Sequence, residues 1–217
     1  LNSSLIRQTI TYTITPKVLG GLACAGPSVV VVISIDPVPV VSSAATKSIC
    51  SGVSVNYVPT AAVAGTVFNW TSSVTVGTVT GNTAVGGLGT IADVLVNTTN
   101  VIGTVRYVIT PVANGCSGTP FNVDVTVDPQ PTLSTVVTPL SQVLCSNTAM
   151  VIDVNSATVP SAGSVVYDYV AVASDVSVTG FTASAINQSL ATNISNLNVL
   201  NSSLIRQTIT YTITPKV

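Results

Sequence analysis

Residues Leu1–Val18 recur without a single change as Leu200–Val217. Within the duplicated segment Ile10, Tyr12 and Ile14 alternate with Thr9, Thr11, Thr13 and Thr15. A period of two is the mark of a β-strand with one apolar and one hydrated face. Chance does not produce an identical match of this length at an offset of 199 residues. The chain therefore reads as one period of a tandem array plus a short overlap, and its ends are not expected to be domain boundaries.

A weaker repeat lies inside that period. Thr104-Val-Arg-Tyr-Val-Ile-Thr-Pro111 parallels Thr9-Ile-Thr-Tyr-Thr-Ile-Thr-Pro16, and a Gly-flanked cysteine follows each, Cys116 and Cys24. An apolar strand then runs to a matching terminator, Asp128-Pro-Gln-Pro131 or Asp36-Pro-Val-Pro39, with Cys145 or Cys50 shortly beyond. Pro39 and Pro131 are 92 residues apart, which leaves 107 of the 199 for the other module. Both sizes suit a seven-stranded sandwich.

The expected division is 1–36 as the C-terminal strands of a preceding module, 37–129 as a complete module, and 130–217 as a module lacking its last strand. The missing element corresponds to Val29–Ile35. Without it the third module exposes a sheet edge, to be covered by an adjoining repeat or by a neighbouring chain. Further strands are expected near 53–58, 66–72, 74–80, 91–97, 149–155 and 164–171. In Phe121–Val127 the residues Phe121, Val123, Val125 and Val127 share one face. No segment reads as a helix, and 181–198 has the weakest pattern.

Composition agrees with an all-β chain made for an extracellular setting. Val and Thr are β-branched and favour strands. Only 6% of the 217 residues are charged, there is no His, and all seven acidic residues are Asp. A net charge of −1 with six scattered basic residues leaves no electrostatic footprint for nucleic acid. The aliphatic run Val29–Ile33 is too short for membrane insertion.

Several segments resemble the PKD-like, immunoglobulin-like repeats of giant surface proteins in gliding and related Bacteroidetes, which are exported by type IX secretion. The resemblance rests on Ile49-Cys-Ser-Gly52, Gly65-Thr-Val-Phe-Asn-Trp-Thr71, Gly103-Thr-Val-Arg-Tyr-Val-Ile-Thr-Pro111 and Asn114-Gly-Cys-Ser-Gly-Thr-Pro-Phe121. It covers the middle module well and the other loosely, where Gly163-Ser-Val-Val-Tyr-Asp-Tyr169 replaces the Trp segment. It implies tandem antiparallel β-sandwiches used as stalk or adhesin elements on the cell surface, with no specific ligand.

The four cysteines group by module. Cys50 is expected to bridge Cys116 within one module, and Cys145 to pair with the copy of Cys24 in an adjoining repeat or chain. Such bridges suit an oxidising compartment and contribute about 2–4 kcal/mol each; the alternative is free thiols packed as small hydrophobes. Trp70 reads as a packing residue rather than a sugar-stacking platform. Tyr12 and Tyr107 read as tyrosine-corner residues before a reversal at Thr-Pro. Pro37, Pro39, Pro129 and Pro131 read as stiffeners of the linkers between modules.

Catalysis has little to work with. A serine nucleophile needs a general base, and neither His nor Glu is present. Asp124 and Asp128 read as a solvated strand edge, and Asp36 and Asp128 as fixed Asp-Pro turns rather than calcium ligands. Lys47 is the one loose candidate for an isopeptide crosslink. Asn-x-Ser/Thr triplets such as Asn97–Thr99 are expected from composition alone. No cofactor and no metal is expected, and the partners expected are adjoining copies of the same repeat. The reading is a structural repeat of an extracellular fibre, with a strand-donating polymer subunit or a carbohydrate-binding sandwich as alternatives.

Overall fold

In the computed structural model, residues 1–22, 24–134 and 142–217 are described; residues 135–141 of the expected third module lie outside that set. Every element among them is a strand or an irregular connection. The chain is all-β, in consecutive groups of sheets that follow the strand periodicity.

The first group is a hairpin of β1 (Gln8–Ile14) and β2 (Val29–Ile35), paired antiparallel with Tyr12 opposite Val31 and Gln8 opposite Ile35. No third strand joins it among the described residues, and both of its faces are solvated. A two-stranded ribbon of this kind is marginal on its own.

The second group contains β3 (Thr46–Cys50), β4 (Val53–Ser54), β5 (Val67–Val76), β6 (Val79–Thr80), β7 (Gly87–Leu88), β8 (Val94–Asn97), β9 (Gly103–Ala113), β10 (Cys116–Ser117) and β11 (Phe121–Asp128). One sheet has the order β3-β11-β9-β5-β7, with β10 on the end of β9; the facing sheet is β4-β8-β6. Alternate residues of β9 and β11 point inward, so Val105, Tyr107, Ile109, Val123, Val125 and Val127 are sealed from solvent. Trp70, Val55, Ile91 and Leu95 complete this core.

Two local expectations change here. The segments 66–72 and 74–80 are largely one long strand, β5, which carries a register shift between Val74 and Val76. The sandwich is also not wholly antiparallel, because β3 lies parallel to β11 with Thr46 opposite Asp124 and Cys50 opposite Asp128. The chain enters the module at the end of the sheet where β11 starts, so its first edge strand must run the same way.

The third group contains β12 (Thr148–Ile152), β13 (Val166–Ala173), β14 (Val178–Thr179), β15 (Ser184–Ser189), β16 (Ile194–Asn201) and β17 (Ile209–Lys216). Its sheets are β15-β13-β17 and β12-β16-β14. Strand for strand these repeat β7-β5-β9 and β4-β8-β6 of the second group. Positions corresponding to β3 and β11 carry no strand among the described residues. The segment with the weakest sequence pattern, 181–198, is therefore β15 and the start of β16.

Candidate interaction sites at the module ends

Each group carries the same asparagine clasp where its last hairpin begins. In the second group Asn97 Nδ2 donates to the carbonyls of Val101 (2.7 Å) and Val127 (2.9 Å). Its Oδ1 accepts from the amide and hydroxyl of Thr99 (3.0 and 2.8 Å). Ser51 Oγ accepts the Asn97 amide at 3.0 Å and so ties β8 to the turn after β3. The side chain is buried, so these bonds saturate an amide that would be costly to leave unpaired.

The first group repeats the arrangement. Asn2 Nδ2 donates to Ile6 and Ile35 carbonyls (2.9 and 2.8 Å), while Ser4 caps its Oδ1. In the third, Asn201 Nδ2 donates to the Ile205 carbonyl (2.9 Å), Ser203 caps its Oδ1, and Ser146 Oγ accepts its amide. Among the described residues no bond corresponding to the one with Val127 is made there. The Asn-x-Ser/Thr triplets are thus not a by-product of composition at these three positions: Asn supplies two donors and the following hydroxyl holds its oxygen.

A tyrosine sits at one position in all three groups, in three degrees of enclosure. Tyr107 is 0% exposed; its hydroxyl donates to Asp93 at 2.8 Å, and Asp93 also accepts from Thr83 (2.8 and 2.7 Å). Burial and that carboxylate push the phenol far above its usual range. Tyr211 is half-buried; its hydroxyl accepts from Asn196, whose own oxygen takes the Thr182 amide. Tyr12, in the bare hairpin, is 49% exposed.

For Tyr107 the geometry differs from the expected tyrosine corner. The partner of Tyr107 is the side chain of Asp93, just before β8, and β9 runs straight through Pro111, which pairs with Phe68. The reversal comes later, at Asn114-Gly115, where both residues have positive φ. Proline brings no N–H to β9, and the ladder with β11 ends short of it, at Ile109; its carbonyl accepts from Gly118 at 2.8 Å. Trp70 is core: it meets Tyr107 edge-on at 5.4 Å and lies flat over Gly87. It offers no exposed platform.

The family described as PKD-like domain matches residues 47–131. That stretch is a PKD-like domain. No curated protein and no solved structure matches the chain.

The PKD-like domain holds its neighbours through the Asp-Pro terminators. Asp128, the last residue of β11, accepts from the amide and the hydroxyl of Ser161 in the third group (2.7 and 2.8 Å). Asn100 accepts the Val159 amide beside it at 2.8 Å. At the opposite end of the domain Asp36 takes a two-bond grip from Arg7 (2.8 and 2.9 Å) and a longer bond from Asn114 (3.4 Å). The Arg7 hydrogen bonds hold the Asp36 carboxyl below the usual range. Pro37, Pro39 and Pro129 are buried and Pro131 half-buried, so these linkers are packed segments. Gly118 lies so close to the Pro39 carbonyl that a Cβ would collide with it.

Asp124 is not a free solvated edge. It pairs side-on with Arg106 of β9 (2.7 and 2.8 Å), directly across the ladder. Asp124 and Asp128 therefore serve different partners. Lys47 Nζ donates to the backbone carbonyl of Asn56 at 2.9 Å. Among the described residues no group of three His, Cys, Asp or Glu side chains converges on one point.

The cysteines are the clearest correction. All four are free thiols. Cys50 is level with Asp128 at one end of the PKD-like sheet, whereas Cys116 is level with Ala113 at the other. Following the ladder from Asp128 to Phe121, and from Ile109 to Ala113, separates them by roughly 35 Å at the usual rise per residue. A disulfide needs Cα atoms within about 7 Å, so this fold excludes the Cys50–Cys116 bridge. Cys24 lies at the tip of the first hairpin and Cys145 beside the Asn201 clasp, both exposed. These too are opposite ends of equivalent units. Each thiol lies at an end of its unit.

The third group ends in an open groove of about 1010 Å³ along β17. Leu133, Met150, Ile152, Val199, Tyr211 and Ile213 line its apolar wall, and Asn201 and Arg206 stand at its rim. In the PKD-like domain the same place is filled by Val123, Val125 and Val127 of β11.

Proposed function

We propose that this chain is a non-catalytic structural repeat of an extracellular surface fibre or adhesin stalk. One observation carries the reading: Asp128 at the exit of the PKD-like domain is gripped at two points by Ser161 of the next unit. With packed proline linkers at both ends, such joints favour a defined angle between successive units over a free hinge. The PKD-like domain adds support, being of a class typical of extracellular repeats and usually non-catalytic.

In this reading the work of the protein is reach and mechanical resistance. Charge-poor surfaces hydrated by Thr, Ser and Asn suit a fibre that must remain soluble over a large area. Export by type IX secretion and a place on a Bacteroidetes cell surface, as in the proteins the sequence resembles, belong to the same proposal. Negative-stain imaging of the natural fibre tests it. Rods with two unequal beads per 199-residue period are expected; compact globules would overturn it.

A further inference from the structure

We propose that β2 of one copy of this chain adds, in a second copy, to the edge of β17 that no strand pairs among the described residues, and completes its third module. This rests on the fibre reading and specifies how successive copies join. The strand would run antiparallel to β17 with Val31 opposite Tyr211. The Ile35 carbonyl would accept from Asn201 Nδ2, and Asp36 would meet Arg206.

The occupant is identified by the first hairpin, which already displays the joint. Tyr12 pairs with Val31 and Gln8 with Ile35. The complete PKD-like domain uses the same register, Tyr107 with Val123 and Gly103 with Val127. Since Leu1–Val18 and Leu200–Val217 are identical, every group that holds β2 to β1 exists again at β17. Asn2, which binds the Ile35 carbonyl, recurs as Asn201. Arg7, which binds Asp36, recurs as Arg206, which has no carboxylate partner among the described residues.

Moving β2 from β1 to β17 therefore exchanges like for like along the strand. What changes is burial. On β1 the side chains of Val31 and Ile33 remain 40% and 46% exposed. On β17 they would lie over Met150, Ile152 and Val199, in the position that Val123 and Val125 fill in the PKD-like domain. Hydrophobic burial is thus the net driving force.

β2 of the same copy does not reach this edge. The PKD-like domain separates the two sites, with Asp36 at one of its ends and Asp128 at the other. Two different surfaces join, so the contact is heterologous and propagates head to tail.

The test uses the 217-residue chain with its four cysteines replaced by Ser. One copy carries Val30→Cys and the other Thr212→Cys, which the proposed register places opposite each other on the outer face. Mild oxidation of the mixture should give a covalent heterodimer on a non-reducing gel. The pair Val32→Cys with Thr214→Cys, four residues out of register, should not. In light scattering the unmodified chain should form multimers that Ile33→Asp abolishes.

A third variant carries a second copy of Leu19–Asp36 appended after Val217. It should fill its own groove and stop accepting a partner. A chain that stays monomeric at its highest soluble concentration overturns the proposal, as does equal crosslinking of both cysteine pairs or undiminished assembly of the extended chain. Any of these results leaves the stalk reading standing, because rod shape in the natural fibre is read separately.

Discussion

Asn97 on β8 reaches across the sandwich end to the carbonyl of Val127 on β11, at 2.9 Å and out of contact with water. The bond joins the two sheets at the point where the last strand leaves for the next module. It also makes the last strand part of the clasp; among the described residues of the third group no strand takes that place beside Asn201.

Asn97→Ala should destabilise the PKD-like domain by about 1–3 kcal/mol, the usual cost of stranding buried hydrogen-bond partners. Asn97→Asp should be at least as damaging, because a carboxylate cannot donate to the Val101 and Val127 carbonyls. In the unassembled chain Asn201→Ala should cost less, since only the Ile205 carbonyl loses its donor. Urea unfolding followed by Trp70 fluorescence reads the first two, and tyrosine fluorescence the third. Equal losses at Asn97 and Asn201 would contradict the assignment.

Gly87→Ala should destabilise the same domain by roughly 1–3 kcal/mol through overpacking. A Cβ at Gly87 would come within 2.1 Å of the Trp70 ring, which is wedged against Tyr107 and cannot retreat freely. The Trp70 emission spectrum should shift along with the urea midpoint. A neutral substitution would mean that the indole is not held against this glycine.

Stability should be flat through neutral pH and fall at both extremes. No His or Glu is present to titrate in between. Asp124 is held low by hydrogen bonds from Arg106, Asp168 by Lys216 and the Asn187 amide, and Asp36 by Arg7. Carboxyls depressed in the folded state stabilise it above their unfolded pKa of about 4, and that contribution is lost as pH falls through the folded values. The phenols behave oppositely. Burial pushes Tyr211 up to about 12 and Tyr107 higher still, so the fold should weaken as pH rises past about 10. Thermal melts from pH 2 to 12 check this; a midpoint that changes sharply between pH 5 and 8 would contradict it.

Peptide mapping of oxidised protein should find no Cys50–Cys116 bridge within a chain. Cross-linked cysteine peptides should join different copies, because each thiol is placed at a module end. Mixing isotopically light and heavy chains before oxidation separates the cases: light–heavy pairs are expected, and exclusively intrachain pairs would show that the ladder is misassigned.

The sequence alone determined the strand faces. Alternation in Phe121–Val127 and in Thr9–Thr15 depends only on the backbone pleat, a local property, and the inward set Val123, Val125 and Val127 follows from it directly. The two repeats likewise announced equivalent hairpins at Tyr12, Tyr107 and Tyr211, since identical segments meet identical local rules. End-to-end placement was decided only by the tertiary structure. Cys50 and Cys116 read as partners because they open and close one module, but the direction of each strand carries them to opposite ends of the sheet. The same non-local geometry turned the Asn97 triplet into a clasp, gave Asp128 to Ser161, and set β3 parallel to β11. Those outcomes depend on which distant strands become neighbours, and strand order is fixed by packing the whole core rather than by any single segment.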